Sequence, residues 1–61
     1  MVIRYFFKDE CAARRAVNDS RNLGYWACLF KTGVPAPAVI GVECSELALG
    51  LIESRYRDFI L

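Results

Sequence analysis

The sequence predicts a small α/β chain of the two-layer α+β type, with elements in the order βαββα. The first observation is an alternating aromatic segment at residues 2–7, which is typical of a half-buried strand. The second is a pair of segments with apolar residues at helical spacing, residues 9–23 and 45–61. The third is two more strand-like segments between them, residues 25–31 and 38–43, separated by a stretch that contains both prolines.

The first strand and first helix carry the clearest local signals. Ile3, Tyr5 and Phe7 alternate as an all-apolar side, which we expect to face the helices. Asp9 is suited to accept from free N–H groups at the start of the helix, and Gly24 is suited to end it. The expected inner face of this helix consists of small or aliphatic residues: Ala13, Ala16, Val17, Ser20 and Leu23.

The second and third strands each have one side that we expect to be buried. In the second strand, Trp26, Cys28 and Phe30 form the expected inner side. The opposite side carries the charge of Lys31, so we expect it to face away from the helices. Its other members are Tyr25, Ala27 and Leu29. The expected inner residues of the third strand are Ala38, Ile40 and Val42.

The second helix has more apolar surface than packing on a sheet requires. Ser45 is a suitable N-cap, and the apolar residues that follow cover about half of the helical wheel, whereas a stripe of ~100° is enough for packing on a sheet. Leu49, Tyr56 and Ile60 lie towards one side of this stripe. We therefore expect these three residues to be surplus to the core and to contact a partner.

These elements together predict the topology. A strand order of 2-3-1 keeps the strand–helix–strand connection right-handed, with both helices on one face of a three-stranded antiparallel sheet. This is the split βαβ layout of a ferredoxin-like domain without its last strand. The missing strand would leave the edge of the first strand exposed, and exposed edges favour pairing with another chain.

Composition adds constraints on size, partners and compartment. The chain has 61 residues and is 56% hydrophobic with a mean hydropathy of +0.26, which is apolar for a single domain of this size, residues 1–61. Net charge is +1 and no block of like charge occurs, so neither a membrane surface nor nucleic acid is favoured by charge. The three cysteines are odd in number and widely spaced, which favours reduced thiols and a cytoplasmic location.

Catalytic and cofactor motifs are absent from the sequence. The chain has no histidine, which removes the commonest general base and the commonest zinc ligand. Cys11 lies in the first turn of a helix, where a thiol pKa can fall, but no resolving cysteine is near it in sequence. We therefore expect no enzyme activity, no cofactor and no metal.

The predicted function is non-enzymatic protein binding: a module that inhibits or regulates a larger protein and self-associates as a homodimer. Chains of this kind are common among phage-encoded and accessory regulators. The predicted interface residues are Leu49, Tyr56 and Ile60 on the second helix and Arg4, Phe6, Tyr25 and Leu29 on the outer sheet face. Two alternatives stay open, namely nucleic-acid binding by aromatic residues of the open sheet face and a ligand-sensing regulatory dimer.

Overall fold

The computed structural model describes residues 1–31 and 40–61 and contains a three-stranded antiparallel sheet and two α-helices. The elements are β1 (Val2–Phe7), α1 (Glu10–Asn22), β2 (Ala27–Lys31), β3 (Ile40–Ser45) and α2 (Leu49–Arg55). The sheet order is β1-β3-β2, so β3 is the central strand. The predicted small α+β fold is therefore confirmed. Ala38 and Val39, which the sequence places in the third strand, lie outside the described residues.

Helix α1 begins and ends close to the predicted positions. Asp9 is the N-cap, and its Oδ1 accepts from the Cys11 N–H at 3.2 Å. Gly24 follows the helix with φ +83°, a left-handed conformation that favours glycine. The expected inner position of Leu23 is wrong: the helix ends one residue earlier, and the Leu23 side chain is 57% exposed.

The pairing register fixes which side of each strand faces the helices. Ile3 and Ala27 both pair with Cys44, and Tyr5 and Leu29 both pair with Val42. Directly paired residues lie on the same face of a sheet, so these positions share one face. As predicted for the first strand, this is the buried face: Tyr5, Phe7, Val42 and Cys44 are in the core.

Strand β2 has the opposite orientation to the predicted one. Ala27 is buried on the helix side, whereas Cys28 and Phe30 alternate with it and lie on the open face. The physical reason lies in the contacts on the two faces: Ala27 packs in the core with the small residues of α1, whereas the Phe30 ring fills the space over Gly41 on the open face. The buried residues of α1 are Ala12, Ala13, Ala16, Val17 and Ser20.

The predicted continuous helix over residues 45–61 is also wrong. Ser45 remains in β3 and its side chain makes no capping hydrogen bond; a 3₁₀ turn, Glu46–Ala48, precedes the seven-residue α2. The helix ends at Arg55, and the backbone of the C-cap residue Tyr56 has φ −120°. Another 3₁₀ turn, Arg57–Phe59, then directs the chain back to the sheet.

The end of the chain pairs with the outer edge of β1. Ile60 forms an antiparallel β-bridge with Phe7. The Leu61 N–H donates to the Phe6 carbonyl at 2.8 Å, and the Lys8 N–H donates to the Phe59 carbonyl at 2.8 Å. The edge of β1 is therefore partly covered, which corrects the expectation that this edge is exposed.

One backbone carbonyl at the edge of β2 also accepts a hydrogen bond. The Arg21 side chain extends from the last turn of α1, and its Nε donates to the Ala27 carbonyl at 2.8 Å. Hydrogen bonds from a guanidinium are among the stronger ones in proteins because the donor is charged. This contact joins the end of α1 to the strand that follows it.

Candidate functional site: the open sheet face

The side of the sheet opposite the helices carries three rows of side chains set by the register. Successive side chains of a strand point to opposite faces, so this open face receives the residues that alternate with the buried ones. The rows are Val2–Ser45–Trp26, Arg4–Glu43–Cys28 and Phe6–Gly41–Phe30. Trp26 lies one residue before β2, and its carbonyl accepts from the Ser45 N–H at 2.9 Å, which extends the pairing by one position.

The Phe30 ring is held across the central strand. A Cβ atom at Gly41 would lie 2.2 Å from Phe30 Cζ, so the ring occupies the space that any other side chain would take. Phe6 meets this ring edge-on, with ring centroids 6.0 Å apart and planes at 71°. Aromatic pairs with this geometry contribute beyond their buried area. The glycine therefore allows the two phenylalanines to form one aromatic cluster.

Arg4 joins the aromatic cluster to the one acidic residue of the face. Its guanidinium carbon lies 5.7 Å from the Phe30 ring centroid, within cation–π distance. Its Nε lies 3.9 Å from Glu43 Oε2. The Arg4 side chain is mostly exposed, so the ion pair adds little to stability. Its effect on the site is to balance the charge of this face.

Much of the open face is apolar and accessible. Trp26 is 52% exposed, Val2 53% and Phe6 44%. None of the described elements packs over these side chains, because both helices contact the other face through the buried residues. The arrangement is an accessible apolar and aromatic surface with one cation and one anion side by side.

The structure brings together only part of the predicted interface. Arg4 and Phe6 lie on the open face as expected. Tyr25 does not: it is half-buried, packs against the core, and its N–H donates to the Ser20 carbonyl at 2.9 Å. Leu29 is on the helix side of β2, opposite Val42, which corrects its predicted outer position.

The three predicted residues of the second helix lie closer to the core than expected. Tyr56 is buried, and its hydroxyl donates to Asp19 Oδ2 on α1. Ile60 is half-buried against the core beside Phe7, and Leu49 is half-buried on α2. The expectation that Tyr56 and Ile60 are surplus to the core is therefore wrong, because the broken helix turns both side chains inwards.

Trp26 and Phe30 are the site residues that the sequence interpretation assigned to the core. Two signals in the sequence point the other way. The alanines of α1 favour a small residue beneath the helix, which Ala27 supplies. Gly41 in the central strand leaves room for a ring on the opposite face.

A separate surface pocket of about 400 Å³ lies between α2 and the edge of β1. It is lined by Tyr5, Glu53, Arg57, Ile60 and Leu61. The Tyr5 hydroxyl donates to Glu53 Oε1 at 3.2 Å. Burial, reinforced by the Glu53 carboxylate, raises the pKa of Tyr5 to about 12, so this hydroxyl stays protonated at neutral pH.

The described residues contain no cluster of His, Cys, Asp or Glu that could hold a metal ion. All three cysteines are free: Cys11 is exposed, Cys28 half-buried and Cys44 buried. Burial raises the pKa of the Cys44 thiol, which keeps it in the protonated form. Within residues 1–31 and 40–61, none of the helices has the length and apolar character to cross a bilayer.

In comparisons with protein-family models, with curated proteins and with solved structures, the chain has no match.

Proposed function

We propose that this chain is a small non-enzymatic protein-binding module that inhibits or regulates a larger partner protein, and that it self-associates. The observation that carries the proposal is the open sheet face, with its accessible Trp26, Val2 and Phe6. Contiguous apolar patches on a protein surface tend to mark interaction sites. Aromatic and arginine side chains together are enriched where binding energy is concentrated, and this face has both.

The electrostatics of the face favour a protein over a polyanion. Arg4 is beside Glu43, at 3.9 Å, so the centre of the face has no net positive charge. The net charge of the whole chain is +1. Binding to nucleic acid depends strongly on phosphate neutralisation by Lys and Arg, and this face supplies little of it.

We place the module in a reducing compartment, the cytoplasm, and relate its fold to a ferredoxin-like domain that lacks the last strand. The free cysteines support the proposal of a reducing compartment. The relation to a ferredoxin-like domain is supported by two features. Strand β3 is central, and the Phe7–Ile60 bridge lies beside β1, where the last strand of a split βαβ domain pairs.

Nucleic-acid binding is the second candidate, and one observation favours it. Phe6, Phe30 and Trp26 lie on one open sheet face together with Arg4. Aromatic side chains on an open sheet can stack with unpaired bases. The two candidates differ in their response to salt, because binding to single strands weakens steeply as salt rises.

Capture from a cell extract with matched variants tests the proposal. Trp26→Lys places a charge on the open face, whereas the control Leu47→Lys changes a more exposed apolar residue in the 3₁₀ turn before α2. Nuclease-treated extract is passed over each immobilised variant, and the retained proteins are identified by mass spectrometry. We expect a protein that the unchanged chain and Leu47→Lys retain and that Trp26→Lys loses.

Equal retention by the two lysine variants would overturn the open face as the binding surface. Salt-dependent retention on immobilised poly(U) RNA that Phe6→Ala abolishes would favour the second candidate. Circular dichroism of each variant shows that loss of binding does not come from loss of the fold.

A further inference from the structure

Strand β2 lies at one edge of the sheet, and hydrogen bonds show which of its backbone groups point outwards. The Trp26 carbonyl accepts from the Ser45 N–H of β3. Backbone groups of alternate residues in a strand point to the same side, so those of Ala27 and Leu29 point to the outer edge. The bond from Arg21 Nε to the Ala27 carbonyl has this direction. Within residues 1–31 and 40–61, no backbone group pairs with the outward N–H and C=O of Leu29.

A pocket of about 400 Å³ lies beside this edge, between β2 and α1. Its lining residues are Arg14, Val17, Asn18, Arg21, Cys28 and Leu29. Two of these residues are cations and none carries a carboxylate. The bond of 2.8 Å from Arg21 Nε to the Ala27 carbonyl orients the guanidinium, whose terminal nitrogens remain available as donors.

Arg14 and Leu29 connect this pocket to a second one, of about 320 Å³, farther along the strand. Phe30 and Ile40 supply apolar surface to the second pocket, and Leu29 is 38% exposed. Glu10 lines the second pocket only, and its carboxylate lies 3.3 Å from the Arg14 guanidinium. The two pockets together form one groove along β2, which we call the β2 groove. Its first half is cationic and its second half is mainly apolar.

We propose that the β2 groove binds an extended segment of a partner protein, which adds to β2 as an antiparallel strand and places a Glu or Asp side chain between Arg14 and Arg21. The acidic residue lies opposite Leu29 and exchanges two backbone hydrogen bonds with it. Directly paired residues share a face of the sheet, so the acidic side chain is on the helix side, where the cationic pocket lies. The inference rests on the proposed function only in that the chain binds a larger protein.

Arg21 determines where the added strand ends. Its Nε already occupies the Ala27 carbonyl, so the segment pairs from Leu29 towards Lys31 and leaves the edge before Ala27. In the antiparallel direction, the residue before the acidic one lies beside Phe30 on the open face. An apolar residue at this position would contact the Phe30 ring. The groove therefore fits a short segment in which an apolar residue precedes an acidic one.

Charge complementarity identifies the occupant. The β2 strand of a second copy would bring two further arginines to the groove, and like charges across a contact oppose binding. A nucleic acid supplies phosphates, but it has no peptide N–H and C=O groups at strand spacing to pair with Leu29. An acidic extended segment supplies both, as in recognition by strand addition, where backbone bonds give affinity and side-chain pockets give specificity.

Synthetic peptides test the proposal on the probe side. The probe is a fluorescently labelled, capped peptide with one glutamate between two valines, and fluorescence anisotropy measures its binding to the chain. Methylating the glutamate nitrogen removes a donor to Leu29, so we expect about tenfold weaker binding. Methylating the nitrogen of the following valine is the matched control, because that N–H points away from β2 and its loss should leave binding unchanged.

A charge reversal tests the pocket on the protein side. Arg14→Glu should weaken binding of the glutamate peptide about tenfold, because it replaces attraction by repulsion. Arg15→Glu is the matched control: it makes the same change at the next exposed residue of α1, which lines neither pocket. We expect this control to weaken binding less than about twofold, since solvent and salt screen exposed charges. Circular dichroism shows that both variants are folded.

A peptide with glutamine in place of glutamate links the two tests. We expect it to bind the unchanged chain about fivefold more weakly, as loss of one exposed ion pair requires. Arg14→Glu should then have little further effect, because the two changes remove the same contact and are not additive.

Equal binding of the two methylated peptides would show attraction by charge alone and would overturn strand addition. Equal effects of Arg14→Glu and Arg15→Glu, or no binding at about 1 mM chain, a free energy of only about 4 kcal/mol, would overturn the proposed site. Self-association that Arg14→Glu abolishes in light scattering would assign the groove to a second copy, which also overturns the proposal. These outcomes are distinguishable from failure of the proposed function, because peptide binding is measured without the partner. A chain that binds the peptide and captures no Trp26-dependent partner would refute only the open-face proposal.

Discussion

Replacing Gly41 by alanine tests whether the open face is a packed structure or a loose surface. The new Cβ would lie 2.2–2.5 Å from three atoms of the Phe30 ring, a distance at which something must move. Phe30 is on an edge strand, so its ring can swing away from the sheet while the backbone stays in place. We therefore expect the variant to fold with this ring displaced into solvent.

The cost follows from the contacts that the displaced ring loses. The edge-on contact with Phe6 contributes about 0.5–1.5 kcal/mol. The Arg4 contact at 5.7 Å contributes about 0.5–1 kcal/mol. Alanine restricts the unfolded chain more than glycine, which offsets about 0.5–1 kcal/mol. The expected net loss of unfolding free energy is about 1 kcal/mol, or a decrease in Tm of about 4–8 °C for a domain of this size.

Gly50→Ala is the matched control, because a Cβ at Gly50 in α2 meets nothing within 4 Å. We expect this control to raise the unfolding free energy by about 0.5–1 kcal/mol, since alanine favours the helix. Urea and thermal unfolding followed by far-UV circular dichroism measure both variants. If Gly41→Ala stabilises the chain as Gly50→Ala does, or costs as much when Phe30 is already alanine, the reasoning fails.

Two other predictions concern pH and the thiols. Tyr5 has a pKa raised from 10.0 to about 12, so its stabilising contribution is complete below pH 10 and is lost as the pH rises to 12. Between pH 10 and pH 12 the unfolding free energy should therefore fall by about 1.4 kcal/mol per pH unit, which unfolding midpoints measure. The substitution Tyr5→Phe should make this fall less steep. An equally steep profile in the variant would exclude Tyr5 as the cause. Cys44→Ser should lower the unfolding free energy by about 1–3 kcal/mol, because it buries a hydroxyl in the core, whereas Cys11→Ser at an exposed position should change it by less than about 0.5 kcal/mol. Chemical denaturation of both variants checks this, and equal losses would contradict the difference in burial.

Local signals predicted the parts of the fold that depend on neighbouring residues. Asp9 and Gly24 mark the two ends of the first helix, because a carboxylate cap and a left-handed glycine act within one turn of the chain. The inner side of β1 follows from simple alternation, and Tyr5 and Phe7 are buried as that alternation requires.

The orientation of β2 depends on distances between elements, which sequence alternation does not contain. Both sides of that segment carry apolar residues, so periodicity cannot choose between Ala27 and Phe30 for the buried side. The choice is made by the alanine-rich α1 and by Gly41 across the strand. The candidate site was consequently identified only in part, with Arg4 and Phe6 but without Trp26.

The second helix shows a different reason why the sequence pattern was not sufficient to predict the structure. Its apolar pattern fits a continuous helix, yet Tyr56 leaves helical geometry so that its hydroxyl reaches Asp19 and Ile60 reaches Phe7. These contacts join residues that are 37 and 53 positions apart, and no pattern within the segment specifies them. Tertiary packing overrides helical periodicity at the end of the chain.

The hydrogen bond from Arg21 to the Ala27 carbonyl has a consequence for how far assembly can proceed. Pairing of the β1 edge with the same edge of another copy would close after two copies. Pairing of β1 with β2 of another copy would instead repeat without end and produce a filament. A charged side chain that occupies an acceptor of β2 penalises this second mode, since a growing fibre would have to displace it at every step. We expect Arg21→Ala to favour open-ended aggregation, visible as fibre-specific dye fluorescence that the unchanged chain does not show.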